Sequence, residues 1–110
     1  MTIIEVEDCS CGFHSKITIS MDEPENVKVN ISSGCDAANF WGRGLQRINW
    51  RECFGPEPLK SELWLSAMEK LNHRSCPLPI AVLRGIECVI GINVPANINI
   101  RFIQNDNKHE

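Results

Sequence analysis

The 110-residue sequence predicts an α+β domain, a small and mainly antiparallel sheet with about three helices packed on one face. Three observations carry that reading. Apolar and polar residues alternate in the first third of the chain and again near its end, while between them apolar residues recur at helical spacing. Glycine and proline clusters separate the runs. An N-terminal hairpin and a closing C-terminal strand should therefore form the sheet, with the helices between them in sequence.

Ile3 to Val6 reads as a first strand and Lys16 to Met21 as a second, with Ile17, Ile19 and Met21 alternating against Thr18 and Ser20. The polar stretch Asp22-Glu23-Pro24-Glu25-Asn26 is a turn. Val27, Val29 and Ile31 alternate with Lys28, Asn30 and Ser32, so this run pairs back on the second strand as a hairpin with one buried face. After Cys35 the period becomes helical: Asp36 is an N-cap candidate, and Ala37, Ala38, Trp41, Leu45 and Ile48 share a face weakened by Gly42 and Gly44. Gly55-Pro56-Glu57-Pro58 breaks the pattern. Ser61 can cap a second helix with Trp64, Ala67, Met68 and Leu71 at core spacing, and Asn72 suits its exit. Pro79 fits the first turn of a third helix, with Leu83, Ile86 and Ile90 inward and Gly91 as a left-handed stop. The alternating run Ile98, Ile100 and Phe102 then rejoins the sheet as the closing strand. Residues 1–104 form a single domain on this reading, and 105–110 a polar, frayed tail.

Composition excludes several function classes. With 43% apolar residues the chain can build an ordinary core, and its size suits one domain. A formal charge of −3 without a Lys/Arg cluster offers nothing to a phosphate backbone, so nucleic acid is not the expected partner. No apolar stretch reaches the roughly 20 residues that cross a bilayer, and the start Met1-Thr2-Ile3-Ile4-Glu5 lacks the features of an export signal. The expected location is the cytoplasm. A Gly-rich phosphate loop, a serine nucleophile elbow and a His-Glu-x-x-His motif are all missing. A protein partner and a homodimer, the commonest arrangement of small self-associating proteins, both remain open.

The six cysteines carry the chemistry. In a reducing compartment they point to metal or redox work rather than disulfides. Cys53, beside Phe54, and Cys88, within the apolar helical pattern, read as buried core thiols. Cys11, Cys35 and Cys76 sit where the chain changes direction: in Cys9-Ser10-Cys11-Gly12, after Ser33-Gly34, and before Pro77-Leu78-Pro79. Cys35 and Cys76 precede helices, whose unpaired N–H groups and positive dipole ends favour a thiolate. His73 could bring an imidazole to the Cys76 loop, giving three sulfurs and one nitrogen for zinc or an iron–sulfur cluster, and Cys9 is the alternative fourth ligand. The spacing is not a paired Cys-x-x-Cys knuckle. The bland reading makes these cysteines turn or buried residues and places His73 at a helix end, while His14 and His109 look like surface residues. Two other functions use the same features: a thiol redox or transfer enzyme with Cys76 as nucleophile, and a non-enzymatic interaction module presenting Trp41 or Trp50.

The stretches Cys11-Gly12-Phe13, Ser33-Gly34-Cys35, His73-Arg74-Ser75-Cys76-Pro77-Leu78-Pro79 and Leu83-Arg84-Gly85-Ile86-Glu87, with Gly91 and Pro95, look like a family of small uncharacterised proteins from anaerobic archaea and bacteria. That likeness spans Cys11 to Phe102 and implies no function. More distantly, Cys-Gly before a hairpin, Gly-Cys before a helix, and His and Cys before a final helix resemble the iron–sulfur scaffold family of the IscU/NifU N-terminal type. The resemblance implies an IscU-like fold in which Cys11, Cys35 and Cys76 assemble a cluster, assisted by His73. The chain departs from the scaffold at Phe13, where the scaffold has an aspartate, at the three-residue step from His73 to Cys76, and at Pro77-Leu78-Pro79. These departures imply a cluster that is held rather than transferred, a zinc site in its place, or no bound metal.

Overall fold

Residues 15–33 form the hairpin their alternation requires. In the computed structural model, which describes residues 1–7 and 11–104, β2 (Ser15–Asp22) runs antiparallel to β3 (Asn26–Ser33), with Ile17 opposite Ile31, Ile19 opposite Val29 and Met21 opposite Val27. This register puts every apolar side chain of the pair on one face. Ile17, Ile19, Val27 and Val29 are completely buried there, while Lys28 and Asn30 face solvent. On one side β1 (Thr2–Val6) pairs antiparallel with β2, and on the other β4 (Ile48–Asn49) pairs with β3, giving a sheet of order β1-β2-β3-β4.

Helices cover that apolar face. The first, α1 (Asp36–Arg43), lies on β3, and after the four-residue α2 (Trp50–Cys53) and a 3-10 turn at Pro58–Lys60, α3 (Glu62–Lys70) packs against α1. The last helix, α4 (Leu78–Val89), crosses β1 and β2 with Leu78, Ala81, Val82, Gly85 and Ile86 buried, one side of a helical wheel. Two glycines allow the close approach. A Cβ at Gly85 would lie 2.5 Å from the Cδ1 atoms of both Ile4 and Ile19, and one at Gly42 would lie 2.8 Å from the Cβ of Ile31. The residue that weakens α1 as an isolated helix is thus what seats it on the sheet. At eight residues α1 is too short to persist alone, so its stability comes from packing, chiefly of Trp41, which is fully buried with Nε1 donating to Ser66 Oγ at 2.9 Å.

The structure corrects several expectations. The run Ile98 to Phe102 is not a closing strand: no residue from 92 to 104 belongs to a helix or strand, and Ile98, Ile100 and Phe102 are 46%, 78% and 90% exposed. Alternation makes a segment able to be a strand, but only a neighbouring edge makes it one. The fourth strand is instead the short β4, whose Ile48 had seemed to extend the first helix. That helix stops at Arg43, and Cys35 rather than Asp36 occupies its N-cap. Ser61 holds the N-cap of α3, but its hydroxyl makes no hydrogen bond among the described residues. Met68 faces outward, 50% exposed, and Cys88 is half-buried. Trp41 cannot face a partner from inside the core, and Trp50 is half-buried under the Arg51 guanidinium, 4.7 Å from its ring. Cys9, His109 and the tail 105–110 lie outside the described residues.

Cys53 is the buried thiol its apolar surroundings suggest, and burial, with a smaller contribution from the Glu52 charge, pushes its pKa from 9.0 to about 11. The native state then keeps a proton that the unfolded chain loses, so stability falls as pH rises from 9.0 toward about 11. Urea unfolding across that range should show a decline that Cys53→Ala reduces.

Candidate metal centre

Three loops at one end of the sheet carry the candidate ligands. Cys11 lies in the turn between β1 and β2, where Gly12 takes a left-handed φ of 79° that a side chain would oppose. Cys35 lies between β3 and α1, and Cys76 between α3 and α4. All three of these cysteines, together with His73, line one small cavity open to solvent. Phe13, Ala38, Leu71 and Leu78 give it apolar walls. Cys11 is exposed, whereas Cys35 and Cys76 are half-buried, and none of the five described cysteines forms a disulfide.

The Cys35 loop is the best fixed. Its backbone N–H donates to Ser33 Oγ at 3.0 Å, that oxygen also pairs with Ser15 Oγ at 2.7 Å, and the Cys35 carbonyl accepts the first helical bond from the Asn39 N–H. Asn39 closes the arrangement from α1: its Oδ1 accepts the Ser33 N–H at 2.9 Å and its Nδ2 donates to the Ser33 carbonyl at 2.8 Å. These positioning residues were missed by sequence reasoning. Ser33, two residues before Cys35, carries a readable turn signal; Asn39 looks like any polar helix residue, because its partner is the preceding strand end. Replacing Asn39 with alanine leaves the Ser33 N–H and C=O without their partner and should cost about 1–3 kcal/mol, measurable by urea denaturation.

The Cys76 loop is a turn closed by the Cys76 N–H donating to the His73 carbonyl at 3.2 Å, which holds His73 beside the cavity mouth with an exposed side chain. Burial raises the Cys76 pKa above 9.0, and the negative charges of Cys11 and Cys35 raise it further, against an opposing hydrogen bond from the Leu78 N–H. The helix start therefore acts as expected, but desolvation and the other sulfurs outweigh it. A thiol held protonated in this way is a poor free nucleophile. Three thiolates would repel one another here, and a cation placed between them would relieve that repulsion.

The spread of the sulfurs is also informative. Cys11, Cys35 and Cys76 do not have their ligand atoms all within 4.8 Å of one another; among the described residues the group that does is Glu5, Glu7 and His14. That trio lies on the exposed surface, with His14 Nδ1 3.7 Å from Glu7 Oε1, as a solvated acidic cluster with one histidine would. Phe13 is a further feature not singled out beforehand as part of the site. Its ring lies against Gly34, where a Cβ would stand 2.8 Å from Phe13 Cδ1, so Gly34 leaves room for the ring at the cavity wall.

No helix among the described residues is long and apolar enough to cross a membrane. No curated protein and no solved structure matches the chain, so the comparisons give no support to the likeness to the iron–sulfur scaffolds. A family model does match, over residues 2–102. With nearly its whole length covered, sheet and cysteine loops included, the chain belongs to that family, described as a family of unknown function, DUF6951.

Proposed function

We propose that this chain is a cytoplasmic metal-binding accessory protein that holds an iron–sulfur cluster through Cys11, Cys35 and Cys76, with His73 or Cys9 as fourth donor. What supports this reading is that three cysteines, from loops 24 and 41 residues apart in sequence, line one apolar-walled cavity. Apolar walls and partial burial favour thiolates neutralised by metal over free ones. Zinc is the second reading. A tetrahedral zinc with bonds of about 2.3 Å needs its sulfurs about 3.8 Å apart, so the three loops would have to draw together from their present spread beyond 4.8 Å. A cluster binds its cysteines through different iron atoms and tolerates wider separation. The motif likeness to the IscU/NifU scaffolds agrees with the cluster reading, and Phe13 with one retained rather than passed on.

Anaerobic purification followed by iron, zinc and sulfide analysis and a visible absorption spectrum tests the proposal. A brown protein with iron and acid-labile sulfide supports the cluster. Zinc without colour selects the second reading. A colourless, metal-free protein in full yield, which takes up neither zinc nor a reconstituted cluster, defeats both.

A further inference from the structure

Among the described residues no strand lies beside the outer edge of β1, and a segment with strand-like alternation lies unpaired near the C-terminus. In β2 the inward residues Ile17 and Ile19 are completely buried, but in β1 the inward Thr2, Ile4 and Val6 are only half-buried. Among the described residues nothing pairs with the outer edge of β1, since the strand order ends there. An open edge with incompletely covered inward side chains is a template for one more strand.

We infer that residues 97–103 are that strand, donated to β1 of a second copy of the chain in a reciprocal two-fold dimer. Ile98, Ile100 and Phe102 alternate with Asn99 and Arg101 over five residues, the length of β1. Paired with β1, their apolar side would continue the covered face past Ile4 and Val6. Their polar side would bring Arg101 onto the face that carries Glu5, an opposite charge. The segment starts near the right place: the Ala96 carbonyl accepts a hydrogen bond at 3.5 Å from Arg84 of α4, the helix lying over β1 and β2. Beyond that point its own body covers little of it: Ile100, Phe102 and Ile103 are 78%, 90% and 89% exposed. A segment unpaired on its own body is available to the edge of another copy, and exchange between two copies satisfies both edges and closes the assembly. The family match runs through residue 102, so this segment is part of the common domain.

Light scattering on the full chain, in reductant to exclude disulfide linkage, together with hydrogen exchange at β1, decides the matter. The expected result is a particle of twice the 12.4 kDa chain mass. The outward-facing β1 amides should be protected in it, and in the double variant Ile100→Lys, Phe102→Lys the mass should halve and those amides exchange at least about tenfold faster, with the helical circular dichroism signal retained. Three results overturn the inference: a monomeric full chain with unprotected β1, a monomer with β1 already protected, which places the segment on its own edge, or a dimer that survives the double substitution.

Discussion

Serine at Cys11, Cys35 or Cys76 should abolish metal retention in each case, at least about tenfold in affinity and in practice to background after purification. The reason is the small number of donors. Serine keeps the size and polarity of the position but supplies no thiolate, and a centre with three protein sulfurs loses a third of them. Cys53→Ser and Cys88→Ser serve as controls, because neither residue lines the cavity. Metal content per chain, read beside a circular dichroism spectrum, separates loss of a ligand from loss of fold: the three site variants should be folded and empty, and the Cys88 control folded and loaded. Equal metal content in all five variants would show that the cavity cysteines are not the ligands.

Trp41→Ala should be the most damaging single change to the fold. The side chain is completely exposed to neighbours and not at all to water, and its indole N–H donates to Ser66 Oγ and, at 3.3 Å, to the Leu63 carbonyl. Truncation removes the largest core side chain and leaves those acceptors facing a void, at an expected cost of about 3–5 kcal/mol. Against a typical total of about 5–15 kcal/mol that is a large share. Urea unfolding should show a much lower midpoint with little change in slope. The consequence reaches the site, since Trp41 joins α1, which begins at Cys35, to α3, which leads into the Cys76 loop. Trp41→Phe keeps most of the volume and should cost less than half as much.

How much of this was legible in advance depended on whether the determining contacts were local. The hairpin was, because the alternation of Ile17, Ile19 and Met21 with that of Val27, Val29 and Ile31 fixes both register and buried face. The buried state of Cys53 was, from its apolar setting. The α+β class followed from the order of the runs. The C-terminal run had the right pattern and the wrong outcome, since nothing local in Ile98 to Phe102 says whether an edge awaits it. Gly42 looked like a defect in α1 because its use, contact with Ile31, is a long-range one. At the candidate site, turn chemistry marked the three cysteines one by one. Their common cavity, the Asn39 brace and the raised Cys76 pKa depend on tertiary packing and charge, which no spacing in the sequence encodes.

The account rests on one centre sharing three sulfurs, and X-ray absorption at the metal edge of the loaded protein reads that directly. For a cluster it should show iron in a sulfur shell at about 2.3 Å made of sulfide and chain thiolate together, and for zinc three chain thiolates at that same distance, with the sulfur content of the shell around any residual metal falling when Cys35 is replaced by serine. A shell of oxygen and nitrogen alone, such as Glu5, Glu7 and His14 would give, would contradict it.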